Sequence, residues 1–312
     1  MDELELIELI RNRFSPKNQR VLKGTGDDAA VIRASQQVSL YTTDMMVEGI
    51  HFDLSFITPF QLGFKLVARN VSDIFAMGGE PEFLLLNLCF PEGTKRDFVE
   101  ELLDGIEECI RKYSIDLIGG DFSTSPEYIF LSATLIGVTS RQILRSGARP
   151  GDKIYVTGTL GDSACGLEIL KRQVRLEEEI KYPLIKRHLI PEPRPLHKRI
   201  KDIHAMIDIS DGLCLDLWRL CDESKAGAIL FEEKLPLSHE LLSASKILNT
   251  DPLTFALSGG EDYELLFTAD KISEVEGITE IGTIIEEKGL WITGRNGEKR
   301  PLRPEGFVHK IG

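Results

Sequence analysis

The sequence predicts an α/β protein with mixed sheets, built as two domains. Three observations carry this. The 312 residues are enough for two ordinary domains, and 42% of them are hydrophobic, so real cores can be buried. Short β-branched or apolar runs alternate with amphipathic helical segments in both halves. The stretch 141–152, RQILRSGARPGD, interrupts this alternation with Gly and Pro turn chemistry. The linker is therefore set near 140–150, giving domains of 1–140 and 150–312.

In the first half, residues 2–13 read as an amphipathic helix with Leu6, Ile7, Ile10 and Phe14 on one side. Residues 38–43 (VSLYTT) read as a strand. A helix follows over about 59–77, with Thr58 as N-cap, Pro59 at the first helical position and Gly78–Gly79 as its stop. The apolar run 83–90 (FLLLNLCF) suits a strand buried on both faces. Thr94 and Asp97 resemble a capping box for a helix that carries Val99, Leu102, Leu103, Ile106 and Ile110 on one face. Strands are predicted near 115–118 and 128–138, and the first domain is assigned the metal and nucleotide site.

The second half opens with the strand KIYVTG. Helices are predicted at about 162–172 and 213–224, and strands near 205–209, 227–232 and 263–268. The Pro- and charge-rich stretch 180–200 reads as a surface loop. The tail carries a short strand, LWIT, before a loose end.

Composition excludes several classes. A formal net charge of -13, with no basic run, argues against nucleic acid. No segment is long and apolar enough to span a membrane, and the N-terminus lacks the order of a signal peptide. Five cysteines without C-x-x-C spacing fit a reducing, cytoplasmic setting.

The chemistry lies in acids placed where acids are costly. Gly26–Asp27–Asp28 precedes an apolar run. Thr42–Thr43–Asp44 closes a strand. Asp73 shares a helical stripe with Leu62, Leu66 and Met77 near the helix C-terminus, where the dipole disfavours a negative charge. Arg69, one turn earlier, is its simplest neutralising partner. Asp121 follows Gly119–Gly120 at a strand end, and Asp208 and Asp211 lie at another, feeding a helix N-terminus. Each has an ordinary reading as turn, cap or ion pair. Together they suggest carboxylates at strand ends, where α/β proteins bind ligands. Two carboxylates ~4 Å apart repel by about 4 kcal/mol at an effective dielectric of 20. A cluster of them calls for hard cations, and magnesium uses one or two carboxylates plus substrate phosphates. No Walker loop, zinc spacing, protein-kinase signature or G-x-S-x-G is present. The residues thus reach a magnesium-nucleotide enzyme of unusual type and do not reach its acceptor.

An ordered set of motifs goes further. Gly26-Asp-Asp-Ala-Ala, Thr42-Thr-Asp44, Gly49-Ile-His51-Phe, Asn70-Val-Ser-Asp73, Ile118-Gly-Gly-Asp121, Arg145-Ser-Gly-Ala-Arg-Pro-Gly-Asp152, Ile207-Asp-Ile-Ser-Asp-Gly212 and Ser258-Gly-Gly-Glu-Asp-Tyr-Glu-Leu265 occur in succession. With them the chain resembles the thiamine-monophosphate kinase family from about residue 20 to 310. The resemblance implies the two-domain fold shared with aminoimidazole ribonucleotide synthetase, a homodimer paired through its N-terminal domains, and ATP-dependent conversion of thiamine monophosphate to thiamine diphosphate with several magnesium ions. It assigns metal ligation to Asp28, Thr42, Thr43, Asp44, Asp73, Asp121, Asp208 and Asp211, with Asp27 adjacent. ATP contacts fall on Gly120, Asp121, Arg145, Ser210 and Tyr113, and acceptor contacts on His51, Glu261 and Phe307. The acceptor is already a phosphate dianion, so no general base is expected. Asp44, Asp73, Asp121 and Arg145 are expected to act electrostatically. Two alternatives stand beside this reading: another ATP-using enzyme of the same fold, and a non-catalytic magnesium-nucleotide sensor.

Overall fold

Thr58 opens the helix that organises the first half of the chain. Its side chain accepts from the Gln61 amide while the Gln61 side chain accepts from the Thr58 amide, closing a capping box ahead of Pro59. The computed structural model describes residues 3–25, 29–196, 200, 202–294 and 296–309. The chain divides into two units, Met1–Gln142 and Ile143–Gly312, each a mixed α/β assembly.

The first unit contains α1 (Glu3–Arg13), β1 (Val21–Lys23), β2 (Val31–Ile32), β3 (Val38–Val47), α2 (Pro59–Ala76), β4 (Glu80–Pro91), α3 (Arg96–Tyr113), β5 (Asp116–Ser125) and β6 (Phe130–Thr139). Four strands form one sheet in the order β3-β6-β4-β5, with only β4 and β5 parallel. Helices α2 and α3 meet through paired glycines. A Cβ on Gly63 would lie 2.1 Å from the Leu102 carbonyl oxygen, and one on Gly105 would lie 1.8 Å from that of Phe60.

Several boundaries differ from the sequence reading. Strand β3 does not stop before Asp44 but runs on to Val47, because Met45, Met46 and Val47 keep pairing with Ser132, Leu131 and Phe130. Strand β5 likewise continues past Asp121 to Ser125. Helix α3 starts after Lys95 without a side-chain cap, and the Thr94 hydroxyl donates to the Pro91 carbonyl instead. On α1, Leu6 is buried but Ile7 is exposed.

The second unit contains β7 (Lys153–Thr157), α4 (Asp162–Arg172), α5 (Glu178–Leu189), β8 (Ile203–Asp208), α6 (Leu213–Ser224), β9 (Gly227–Phe231), a 3-10 turn at Glu232–Lys234, α7 (His239–Leu248), α8 (Pro252–Ser258), β10 (Leu265–Ala269), β11 (Ile278–Ile285), β12 (Gly289–Thr293) and β13 (Lys299–Leu302). Seven strands run in the order β13-β12-β9-β11-β7-β10-β8. Leu213, Leu217, Leu220 and Cys221 of α6 pack with Ile154, Val156, Ile207 and Leu230 in one core. Cys165, Ile169, Leu184, Leu241 and Phe255 form a second one among α4, α5, α7 and α8. The segment expected to loop over the surface at 180–200 therefore begins as helix α5, which tolerates Pro183 while burying Leu184, His188 and Leu189.

Candidate functional site

In the first unit, burial alternates along β3 so that Leu40, Thr42, Asp44 and Met46 turn inward and their neighbours outward. The inward row meets α2. The Thr42 hydroxyl donates to Asp73 at 2.5 Å, and Arg69 lies 3.5 Å from Asp44. The arginine expected to neutralise Asp73 thus reaches Asp44, and Asp73 is half-buried rather than sealed in the core. Thr43 points the other way, where its hydroxyl donates to the Ala133 carbonyl and accepts from Thr134.

Asp121 stands apart. It lies on edge strand β5, three strands from β3, or ~14 Å at the usual spacing. The register puts it in the row Met45, Ser132, Asn87, Asp121, whereas Asp44 shares its row with Ala133, Leu86 and Gly120. Gly120 has φ of 153°, and a Cβ there would lie 1.8 Å from the Leu86 carbonyl oxygen, so β4 and β5 can approach only with glycine at this position. His51 lies in the turn after β3. Its Nδ1 accepts from the Val47 amide at 3.0 Å, which leaves Nε2 as the donor of the neutral ring. The Tyr113 ring packs edge-on against Phe75, with centroids 5.8 Å apart. Asp27 and Asp28 lie outside the described residues.

In the second unit, β8 ends at buried Asp208, and the loop Ile209–Gly212 leads into α6. No side chain of the loop caps this helix. Asp216 in its first turn does so from within: one carboxylate oxygen accepts from the amides of Ser210, Asp211 and Gly212 at 3.0–3.1 Å. Its other oxygen accepts from Arg219 at 2.7 Å, and the same guanidinium nitrogen donates to Asp211 at 2.6 Å. Burial, then the neighbouring charge of Asp208, pushes the Asp216 carboxyl up to about 7.

The segment after α8 lies along this loop. The Glu261 amide donates to the Ser210 carbonyl, and the Tyr263 amide to that of Ile209. Glu261 and Tyr263 both adopt positive φ, 65° and 52°, unusual for residues other than glycine. The Glu261 carboxylate lies 3.3 Å from Nδ1 of His188 and accepts from the Tyr263 hydroxyl at 3.4 Å. Next to it, Asp262 accepts from the Gly161 and Ser163 amides at the N-terminus of α4. Phe307 reaches the same loop through its backbone, donating to the Asp211 carbonyl at 3.0 Å, and its ring is half exposed. Arg145 is exposed. Its carbonyl accepts from the Ser224 hydroxyl, and the preceding Leu144 carbonyl accepts from the Met206 amide. These bonds set its backbone beside the middle of β8, ~10 Å short of Asp208 at ordinary strand rise.

The structure thus gathers Thr42, Asp44 and Asp73 in one unit, and Asp208, Ser210, Asp211, Glu261 and Phe307 in the other. The sequence reading overlooked Asp216, Arg219 and His188. Asp216 and Arg219, three residues apart on one helix, had a readable spacing, while His188 was hidden in the segment read as loop. Among the described residues no three His, Cys, Asp or Glu side chains converge tightly enough to cage a metal ion. The oxygen-only donor set of Thr42, Asp44 and Asp73 fits magnesium, which takes few protein ligands and completes its shell with water and phosphate.

Comparison with known proteins adds a second line of evidence. Residues 26–139 match the family model described as AIR synthase related protein, N-terminal domain, and residues 149–293 match its C-terminal domain. The chain is 38% identical to a thiamine-monophosphate kinase of Aquifex aeolicus, across 99% of this chain and 98% of that one. A solved structure described as AaThiL complexed with AMPPCP and TMP superposes with a TM-score of 0.83 at 38% identity, covering 99% of this chain and 97% of that one. The hydrogenase maturation protein HypE of E. coli has a TM-score of 0.77 at 19% identity, with 97% of each chain covered, which is a likeness of fold alone.

Proposed function

Because the chain belongs to the thiamine-monophosphate kinase family, within the fold of the AIR synthase related proteins, we propose that it transfers the terminal phosphoryl group of ATP to thiamine monophosphate, giving ADP and thiamine diphosphate. The observation that supports the site assignment is the gathering of carboxylates within each unit. Asp208, Asp211 and Asp216 crowd the turn from β8 into α6, where Arg219 pairs with Asp211 and Asp216. Asp44 and Asp73 line β3 and α2, where the Thr42 hydroxyl donates to Asp73 and Arg69 pairs with Asp44.

Magnesium, when bound, would neutralise phosphate charge so that two polyanions can meet. Asp44, Asp73 and Thr42 would hold it in the first unit, and Asp208 and Asp211 in the second. Thr43, Asp121, Asp27 and Asp28 are further ligands by resemblance alone; Thr43 and Asp121 lie on the face of the sheet opposite Asp44. The acceptor phosphate, with a second pKa of about 6, is largely a dianion at neutral pH and is its own nucleophile. What remains for the protein is positioning and electrostatics. Gly120, Asp121, Ser210 and Arg145 are assigned to ATP, with Tyr113 near its base. For the acceptor, His51 stands in the turn after β3, Glu261 presents a carboxylate held by His188 and Tyr263, and Phe307 a half-exposed ring.

We further read the enzyme as a homodimer. The support is the outward face of the β3-β6-β4-β5 sheet, which exposes Tyr41, Met45 and Phe130. A cytoplasmic site of action is supported by five free cysteines. No helix among the described residues is long and apolar enough to cross a membrane.

Incubating the purified protein with ATP, magnesium and thiamine monophosphate should yield ADP and thiamine diphosphate in equal amounts, with no labelled phosphoenzyme. Nucleotide binding without product would identify a sensor instead.

A further inference from the structure

Asp211 and Asp216 share one guanidinium nitrogen but are held very differently. Asp216 is fully buried, and its second oxygen receives three backbone amides, so it cannot leave without unpinning the Ser210–Gly212 loop. The Asp211 side chain is about a quarter exposed and accepts from Arg219 at 2.6 Å. Its own amide is one of the three that Asp216 holds, so its backbone stays fixed while its carboxylate can turn.

We propose that Arg219 is the resident counter-cation of Asp211, holding that carboxylate in the metal-free protein and yielding it when a divalent ion loads. This rests on the reading of Asp211 as a metal ligand. The exchange strands no charge: after Asp211 turns away, Arg219 still faces Asp216 at 2.7 Å. Asp216 thereby acts as a positioning residue, fixing the loop and parking the arginine, and does not itself ligate the ion. Arg219 competes with the divalent cation and sets how much of it the site requires.

The test replaces Arg219 by Gln and, separately, by Met, which retains an apolar stem. Arg219→Lys keeps the charge. Thermal unfolding of the full chain is followed against MgCl2 with a non-hydrolysable ATP analogue present, and magnesium activation of turnover is measured in parallel. Both neutral variants should melt lower than the parent in EDTA, gain more on adding magnesium, and reach their half-maximal gain at roughly two- to fivefold less magnesium, the range expected for losing one partly exposed ion pair. The lysine variant should stay within about twofold of the parent. A neutral variant folded only with magnesium supports the exchange. Neutral variants whose magnesium midpoint is unchanged or raised, or which stay unfolded with magnesium, overturn it. Should the parent itself show neither a magnesium-dependent gain nor product, the kinase reading fails and this inference with it. A responsive parent with unresponsive variants sinks the inference alone.

Discussion

Arg187 of α5 and Glu264, immediately before β10, form a buried ion pair that is completed by the Thr157 hydroxyl donating to the same carboxylate. Both side chains are largely withdrawn from water, so the pair is far from the surface case in which ion pairs contribute little. Arg187→Met should leave Glu264 buried and uncompensated, at a cost of about 3–5 kcal/mol. Urea unfolding would measure this. A loss below about 1 kcal/mol would mean that water reaches the carboxylate.

Asp262 should impose a pH dependence on stability. Burial pushes its carboxyl up to about 7, against the lowering pull of Arg187 and the Gly161 and Ser163 amides. The unfolded value is about 3.9, so between these limits the folded state holds a proton that the unfolded state releases. Its stabilisation is complete below about pH 4 and is lost as the pH rises through about 7. Urea midpoints from pH 5 to 8 should fall more steeply in the parent than in Asp262→Asn. Equal slopes would assign the proton elsewhere.

Gly105→Ala places a methyl group where the Phe60 carbonyl sits. The two helices must separate, and overpacking of this kind costs about 1–3 kcal/mol. Calorimetry should show a lower melting temperature with helical content retained. An unchanged melting temperature would show that α2 and α3 slide freely.

Asp44→Asn tests the first unit's acids. On the proposed reading it removes charge that would hold phosphate-bound cations, while leaving the inward row of β3 intact. Turnover should fall by roughly 10²-fold or more, as for other preorganised charges, with no loss in melting temperature. If residual activity instead follows the fraction of folded protein, Asp44 is structural.

The helices were the most legible part of the sequence. Thr58, Pro59 and Gly78 bracket α2 by local chemistry alone, and α4 and α6 have the predicted bounds. Strand β3 was cut short because an inward Asp44 looks like a strand exit. It continues because Met45, Met46 and Val47 keep pairing with β6 while Arg69 faces Asp44. Helix α5 was hidden by Pro183 and its charges, and α7, α8 and β11 were not anticipated. Of the candidate site, the Asp-Gly turns were visible because they need local backbone geometry. The supports of Glu261 and Glu264 were not, because Arg187 is 77 residues from Glu264 in sequence and no local pattern links them.

Strand β3 has one neighbour in its sheet, β6, and the paired Thr43 and Thr134 are 91 residues apart. During synthesis the acid-bearing strand therefore waits, without a ladder partner, until nearly the whole first unit has left the ribosome. Such distant closure slows folding and exposes strand edges to other chains. Strand β7 of the second unit waits as long, since its partners β10 and β11 come more than a hundred residues later (Val156 pairs Leu266), so co-translational chaperone capture and low-temperature expression should matter for the yield of both units.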